Sequence, residues 1–327
     1  MARSGESLPD VALSGAPLDR SGHERRDERL VERLLSDPRT RVLELRGDRA
    51  PVAPAGPAAA TGDGPLRLRL RPPTAADSEA VTVFVGRDDE GTAYVGVARP
   101  EESRPTEGEA RASAPQAEDG WLTLRQAGAG LDDRDAALFT TVLAVANWHA
   151  AHTHCSRCGA VTAPAQGGWL RVCPDDGSEH YPRTDPAVIM AVVDTAGRLL
   201  LGRGPQWPEG RFSVLAGFVE PGESFEAAVA REVAEEVGIQ VTDVRYLGNQ
   251  PWPFPSSVMI GFTSRALTSD LELDPHELSE ARWVSREDYR TALRAGTIRA
   301  PFGLSIAKRI IEHWLGETVE SVLDLTR

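Results

Sequence analysis

The chain has 327 residues, 41% hydrophobic and 26% charged, proportions that exclude collagen, coiled coil and wholesale disorder and leave room for two domains. Its formal charge of −13 at pH 7 opposes capture of nucleic acid or anionic membrane by the surface as a whole. Three cysteines are too few for a disulfide scaffold, and Cys155 and Cys158 are separated by two residues, a spacing that goes with metal or redox chemistry in a reducing compartment, by default the cytoplasm.

Residues 1–28 mix charge, glycine and serine without a period and read as a flexible lead-in. They hold no apolar leader core, and no run of about 18 apolar residues follows anywhere, so neither export nor a membrane span is expected. Leu66, Leu68 and Leu70 alternate with arginines, and the apolar runs 81–85 and 93–97 flank a turn at 88–91, which predicts a small antiparallel sheet. Residues 100–119 are almost free of apolar side chains and predict a flexible loop. Trp121 to Leu124 resumes a strand, and Ala137, Leu138, Thr141, Val142, Val145 and Trp148 predict an amphipathic helix over 133–149. An N-terminal α/β domain is therefore drawn over 1–150, a zinc-ribbon-like insert over 151–184 and an α+β domain over 185–327. In the last, the run 187–193, a turn at 195–197 and Leu199 to Leu201 form a hairpin; strands are expected at 258–262 and 281–284 and a closing helix at 305–315.

Residues 217–239 carry the strongest chemical signal. Ser224 suits a helix N-cap, Gly238 suits a left-handed C-terminal residue, and Phe225, Val229, Val233 and Val237 recur every four residues. At about 100° per residue, Glu232, Glu235 and Glu236 share one face. Glu236 borders the apolar stripe, where an ionised carboxylate is costly unless a cation neutralises it. Three glutamates alone would be ordinary solvated surface. The full pattern, however, is Gly217, five residues, Glu223, seven residues, Arg231, Glu232, an aliphatic, one residue, Glu235, Glu236, one residue, Gly238 and an aliphatic. A chance match is of order one in a million or less.

This pattern resembles the signature of the Nudix hydrolases. The resemblance implies a Nudix fold, a mixed sheet with helices, that binds Mg²⁺ or Mn²⁺ and cleaves a nucleoside diphosphate linked to another group. It implies metal ligation by Glu232, Glu235, Glu236, the carbonyl of Ala216 and, from outside the box, Glu277. It also implies that Arg231 orients a glutamate and that Glu223 fastens the loop to the helix. Hard divalent cations do favour several carboxylate oxygens shared with substrate phosphates.

Gln250, Pro251, Trp252, Pro253, Phe254, Pro255, Ser256 and Ser257 follow the box. Composition alone reads this as a stiff extended wall for a planar ring, a structural loop or a protein-binding segment. Downstream of such a box it resembles the NADH pyrophosphatase family. The resemblance implies hydrolysis of NAD(H) to nicotinamide mononucleotide and AMP, with removal of NAD caps from RNA 5′ ends or cleavage of another nucleoside diphosphate derivative as alternatives, and a homodimer. It places Tyr181, Phe218, Gln250 to Ser257 and the backbone of Ala307 at the substrate, with Arg125 toward a phosphate. A nucleotide-binding module without turnover is the rival from another class; the complete glutamate set argues against it, since like charges gather at a cation.

Cys155, Cys158, Cys173 and Asp176 have the frame of a four-cysteine zinc ribbon with aspartate in the last position. Aspartate, or His152, His154 or His180, can supply a fourth bond to Zn²⁺; a ribbon that folds without metal is the alternative.

Overall fold

The computed structural model describes residues 7–8, 11–15, 17–55, 64–100, 120–299, 301 and 303–324. They fall into two compact units. One takes in Leu13–Thr184 and Trp252–Ser256; the other takes in the described residues before Leu13, Asp185–Pro251 and those from Ser257 onward. Residues 151–184 thus group with the N-terminal residues, and five residues of the proline-aromatic motif join them.

The first unit begins with helix α1 (Leu30–Ser36) and strands β1 (Arg41–Arg46), β2 (Arg49–Pro54), β3 (Leu66–Leu68), β4 (Val81–Arg87), β5 (Ala93–Arg99) and β6 (Trp121–Thr123). Their order is β3-β2-β1-β5-β4, with β6 beside β2. Strands β4 and β5 pair antiparallel as expected, but the sheet as a whole is mixed, because β1 runs parallel to β5. Helices α2 (Leu124–Ala127) and α3 (Asp133–Ala151) follow. Asp132 caps α3 by accepting the Asp135 amide, and the Asp135 carboxylate accepts the Leu68 amide at 2.7 Å, tying the helix start to β3. Gly96 lets α3 lie close to the sheet, since a Cβ there would collide with Val142. The flexible lead-in drawn over 1–28 does not describe 17–28. Glu24–Arg26 form a 3₁₀ turn, and Glu24 binds Arg87 at 2.7 and 2.9 Å. The loop expected over 100–119 lies outside the described residues apart from Pro100.

The ribbon supplies β7 (Ala163–Ala165), β8 (Leu170–Val172) and β9 (Glu179–His180), an antiparallel three-stranded sheet. The half-buried Trp169 and the buried Arg171 join it to the same unit. Trp169 Nε1 donates to the Phe84 carbonyl at 2.7 Å, and Arg171 donates to His149 Nδ1 at 2.9 Å and to the Thr162 carbonyl and hydroxyl.

In the second unit the elements are β10 (Asp185–Val193), β11 (Leu199–Arg203), β12 (Leu215–Phe218), α4 (Phe225–Val237), β13 (Val241–Trp252), β14 (Ser257–Ala266), β15 (Glu280–Val284), α5 (Arg286–Ala295), α6 (Ile306–Leu315) and α7 (Val319–Val322). The sheet order is β13-β14-β10-β11-β15, with β12 on β10. Central β10 is parallel to β14 and antiparallel to β11 and β12. Its unbroken apolar run reflects burial on both faces. Val188, Met190 and Val192 pack with Val229, Val233 and Val237 of α4. Ile189 and Ala191 point the other way, into the core that holds Tyr289 of α5 and Ile306, Ile310 and Ile311 of α6. The sheet is therefore covered by helices on both sides. Among the described residues no helix is long and apolar enough to cross a membrane.

The proline-aromatic motif is not extended throughout: it is strand to Trp252 and then a turn over 253–256 that leads into β14. Gln250 also departs from the sequence reading. It is fully buried, its Nε2 donates to the carbonyls of Leu304 at 2.7 Å and Ala12 at 2.8 Å, and its Oε1 accepts the Ile306 amide at 2.8 Å. Both of its amide protons and one lone pair of its oxygen are thereby engaged; the side chain seats the start of α6 against the end of β13.

Candidate active site

The acid-rich helix forms where its caps dictate. Ser224 accepts the Ala227 amide, and Gly238 turns left-handed at φ 71°. Val229, Val233 and Val237 are buried, whereas Phe225, in the opening turn, is exposed. Glu232 and Glu236 consequently lie toward the sheet and Glu235 toward solvent.

Arg231 organises the acids. Its Nε and Nη2 donate to the two Glu223 oxygens at 2.8 and 2.9 Å, and Nη1 reaches Glu232 and Glu235, each at 2.9 Å. Nη2 also donates to the Phe218 carbonyl at 2.9 Å. One planar guanidinium thus joins the loop, strand β12 and the helix, a span that the single ammonium of lysine cannot copy. The Arg231 bond holds the Glu223 carboxyl below the usual range, and Glu223 also accepts the Glu220 amide.

Glu232 lies directly against Gly217, where a Cβ would run into its carboxylate. Burial raises its carboxyl above the ordinary value even though Arg231 pulls the other way. Glu236 is only 7% exposed. Burial, reinforced by the charges of Glu232 and Glu277, pushes it up to about 8. Among the described residues no cation or donor meets this carboxylate. Glu277 is placed by the turn that begins at Asp274, whose amide donates to the Glu236 carbonyl at 3.1 Å, and by the buried neighbour Leu278. Ala216 is exposed on β12, opposite Ile189 of β10.

Full ionisation of this set is costly without a further positive charge, because Glu236 is buried and unpartnered and lies in the field of Glu232 and Glu277. All its donors are hard oxygens, so a divalent cation of the Mg²⁺ or Mn²⁺ kind fits the residues present.

The expected substrate residues are less uniform. Phe218 and Tyr181 present rings that are 61% and 62% exposed, and the Tyr181 hydroxyl bonds to the Glu179 carboxylate. Trp252 and Phe254 meet edge to face, with centroids 4.9 Å apart at 75°. Pro253 is buried, Pro251 and Ser256 are half-buried, Pro255 is exposed, and Ser257 opens β14 opposite Asp185. Ala307 is buried and its amide donates to Ser305 Oγ at 3.2 Å, so its N–H serves the helix cap. The Arg125 guanidinium lies over the rings of Phe254 and Trp252.

The ribbon contains two matching knuckles. Cys155 N–H donates to the Ala160 carbonyl at 2.8 Å and Cys173 N–H to the Ser178 carbonyl at 2.9 Å; Gly159 and Gly177, both with positive φ, return their amides to Cys155 and Cys173 at 3.0 Å. Asp176 therefore stands where Cys158 stands in the first knuckle. The ligand atoms of Cys155, Cys158, Cys173 and Asp176 lie within 4.8 Å of one another, so the aspartate, and none of the three histidines, completes the cluster. This donor set fits a structural zinc. A carboxylate is a harder donor than thiolate, so Asp176→Cys should raise both zinc retention against a chelator and the thermal midpoint, leaving hydrolytic activity within about twofold. Wild-type protein that carries no zinc, with a midpoint indifferent to chelator, would contradict this.

An acid-rich helix fastened by arginine to the strand before it, on a mixed sheet covered on both faces, defines a Nudix domain, and residues 183–302 match the NUDIX domain family. Residues 150–181 match the NADH pyrophosphatase zinc ribbon domain. The chain thus carries a Nudix domain at 183–302, preceded by that ribbon at 150–181 and by an N-terminal α/β region. It is 46% identical over 202 residues to a Mycobacterium bovis protein named NAD-capped RNA hydrolase NudC, covering 59% of this chain and 64% of that one. It is 40% identical over 197 residues to the human NAD-capped RNA hydrolase NUDT12, covering 57% of this chain and 43% of that one. The chain thus spans less than two thirds of the length of these curated relatives. A Nudix hydrolase structure from Nitrosomonas europaea aligns over 51% of this chain and 94% of its own, with 22% identity and a TM-score of 0.40.

Proposed function

We propose that this protein hydrolyses the pyrophosphate bond of NAD(H), giving nicotinamide mononucleotide and AMP, with Mg²⁺ or Mn²⁺ as cofactor. The observation that carries the reading is Glu236, a buried carboxylate without a cation, set beside Glu232 and within the field of Glu277. Glu232, Glu235, Glu236, Glu277 and the Ala216 carbonyl would hold the metal, which when bound supplies neutralisation of the pyrophosphate charge and activation of water. The chain's own work is positional. Arg231 keeps Glu232 and Glu235 at fixed angles while binding the loop through Glu223, and Gly217 gives Glu232 room to lie against the strand. Preorganised charge of this kind needs no rearrangement as the reaction proceeds.

The ring-bearing residues Phe218, Tyr181, Trp252 and Phe254 belong to the same proposal as the recognition of base or nicotinamide. Pro251, Pro253, Pro255, Ser256 and Ser257 shape that recognition. The second reading, removal of NAD caps from RNA 5′ ends by the same residues, is supported by the names of the mycobacterial and human relatives. A cytoplasmic setting suits three clustered cysteines that form no disulfide, a state that a reducing compartment preserves. Homodimeric assembly completes the proposal, and light scattering tests it. The decisive assay follows AMP and nicotinamide mononucleotide release from NADH, NAD⁺ and an NAD-capped RNA, with each metal and with chelator. Absence of turnover on all three substrates with either metal would overturn both readings.

A further inference from the structure

We propose that Asn147 and Arg125 are positioning residues that lock the orientation of the Trp252 and Phe254 rings and so set the enzyme's affinity for its dinucleotide. The inference rests on the NAD(H) reading above. The turn over 253–256 cannot brace itself fully, because Pro253 and Pro255 have no N–H to donate. Within it the Phe254 amide donates to the Trp252 carbonyl at 2.7 Å. The carbonyls of Pro253 and Pro255 are instead met from α3. The Nδ2 amide of Asn147 lies 3.1 Å from each of them. The Pro253 carbonyl lies in the peptide plane that enters Phe254 and the Pro255 carbonyl in the plane that leaves the following proline, so a single side-chain amide with two protons pins the turn before and after that ring. Asn147 stands on a helix whose position is set by the buried Val145 and Trp148.

The rings are held from a different element. The Arg125 guanidinium carbon lies 3.8 Å from the Phe254 ring centroid and 5.1 Å from that of Trp252. Arg125 stands on α2, a short helix fixed by the buried Leu124 and by a reciprocal pair of bonds between Thr123 and Gln126. A cation over an aromatic face is favourable, and arginine adds a flat surface that stacks. Backbone and rings of the motif are thus braced separately, by an amide on α3 and a guanidinium on α2. Rings fixed in one orientation accept a planar group without an ordering cost at the moment of binding.

The test is steady-state kinetics on full-length protein with NADH. Asn147→Ala removes both donors; Asn147→Asp keeps the shape but turns acceptors toward the two carbonyls. Both should raise KM about tenfold and leave kcat within about twofold, as expected when two modest hydrogen bonds act on binding and not on the chemical step. Arg125→Ala and Arg125→Lys should raise KM to a similar degree, because an ammonium lacks the flat face. Unchanged KM in the Asn147 variants, a fall confined to kcat, or recovery of wild-type KM by Arg125→Lys would each overturn the proposal, the last pointing to a simple charge contact with phosphate. Arg125 is exposed, so its variants decide the matter even where an Asn147 variant fails to fold. Wild-type protein inactive on NADH strikes the parent reading together with this one; active wild type with unaffected variants strikes this one alone.

Discussion

Replacing Glu236 with glutamine should lower NADH hydrolysis by about 100-fold or more while leaving the fold intact. The substitution keeps the volume of a side chain that is almost wholly enclosed and removes the charge that a cation would balance; losses of that order follow when transition-state charge stabilisation is removed. A second readout needs no activity. In metal-free protein the Glu236 carboxyl is pushed from an ordinary 4.5 up to about 8, by burial first and then by Glu232 and Glu277. Below pH 4.5 the group is protonated whether the chain is folded or not, and it imposes no penalty. As pH rises from about 4.5 to about 8 the unfolded chain gives up this proton and the folded chain keeps it, so stability falls across that window and levels off above it. A tenfold change in proton affinity corresponds to about 1.4 kcal/mol, so the loss amounts to several kcal/mol at the alkaline end. Glu236→Gln should flatten this part of the profile and be the more stable protein near pH 8 without metal. Retained turnover would end the proposed metal role, and superimposable stability profiles would show that the carboxyl is not strained.

What the amino-acid sequence disclosed depended on whether local and tertiary demands coincided. Residues 224–238 were legible because cap, apolar stripe and terminal glycine all specify the same helix, and the burial of Glu236 followed from its place at the stripe's edge. Strand β10 was legible because burial on both faces leaves no polar position to break the run. Strand β13 was not foreseen: most of its residues are half-buried or exposed, so no alternation marks it. Helix α5 is marked in the sequence by its ends, Ser285, which caps it by accepting the Asp288 amide, and Gly296, which ends it. Strands β1 and β2 are short, and the parallel pairing of β1 with β5 joins residues about fifty positions apart, which no local pattern encodes. Glu277 could be singled out only by family resemblance, since the carboxyl that feels its charge lies 41 positions earlier. Gln250 was assigned to the substrate because it belongs to a recognisable motif; the fold uses its amide to join three backbone groups. Asn147 carried no signal, being one polar residue on a long amphipathic helix.

Gly217→Ala should cost activity far out of proportion to stability. Gly217 is not among the residues with left-handed backbone angles, so alanine can adopt its conformation, and the difficulty is wholly one of space. The added methyl would occupy the position of the Glu232 carboxylate. Two relaxations are open. Strand β12 could move, but that would disturb its pairing with β10 along Ala187 to Met190. The Glu232 side chain could swing away, breaking the 2.9 Å bond from Arg231 Nη1. The second is cheaper, because the obstructing atoms are the far end of a flexible side chain. Arg231 would keep Glu223, Glu235 and the Phe218 carbonyl, so the loop should stay attached and the thermal midpoint should drop by only a few degrees, consistent with about 1 kcal/mol. Hydrolysis of NADH, by contrast, should fall by about 10- to 100-fold, since a charged group displaced by about 1 Å no longer meets the geometry the reaction requires. The mechanism is checked by a double-mutant cycle with Glu232→Gln. If the methyl acts by evicting this carboxylate, the second substitution should add little to the first. Effects that multiply would show that the glycine serves something other than Glu232, and near wild-type turnover in Gly217→Ala would show that the placement of Glu232 against the strand is not used.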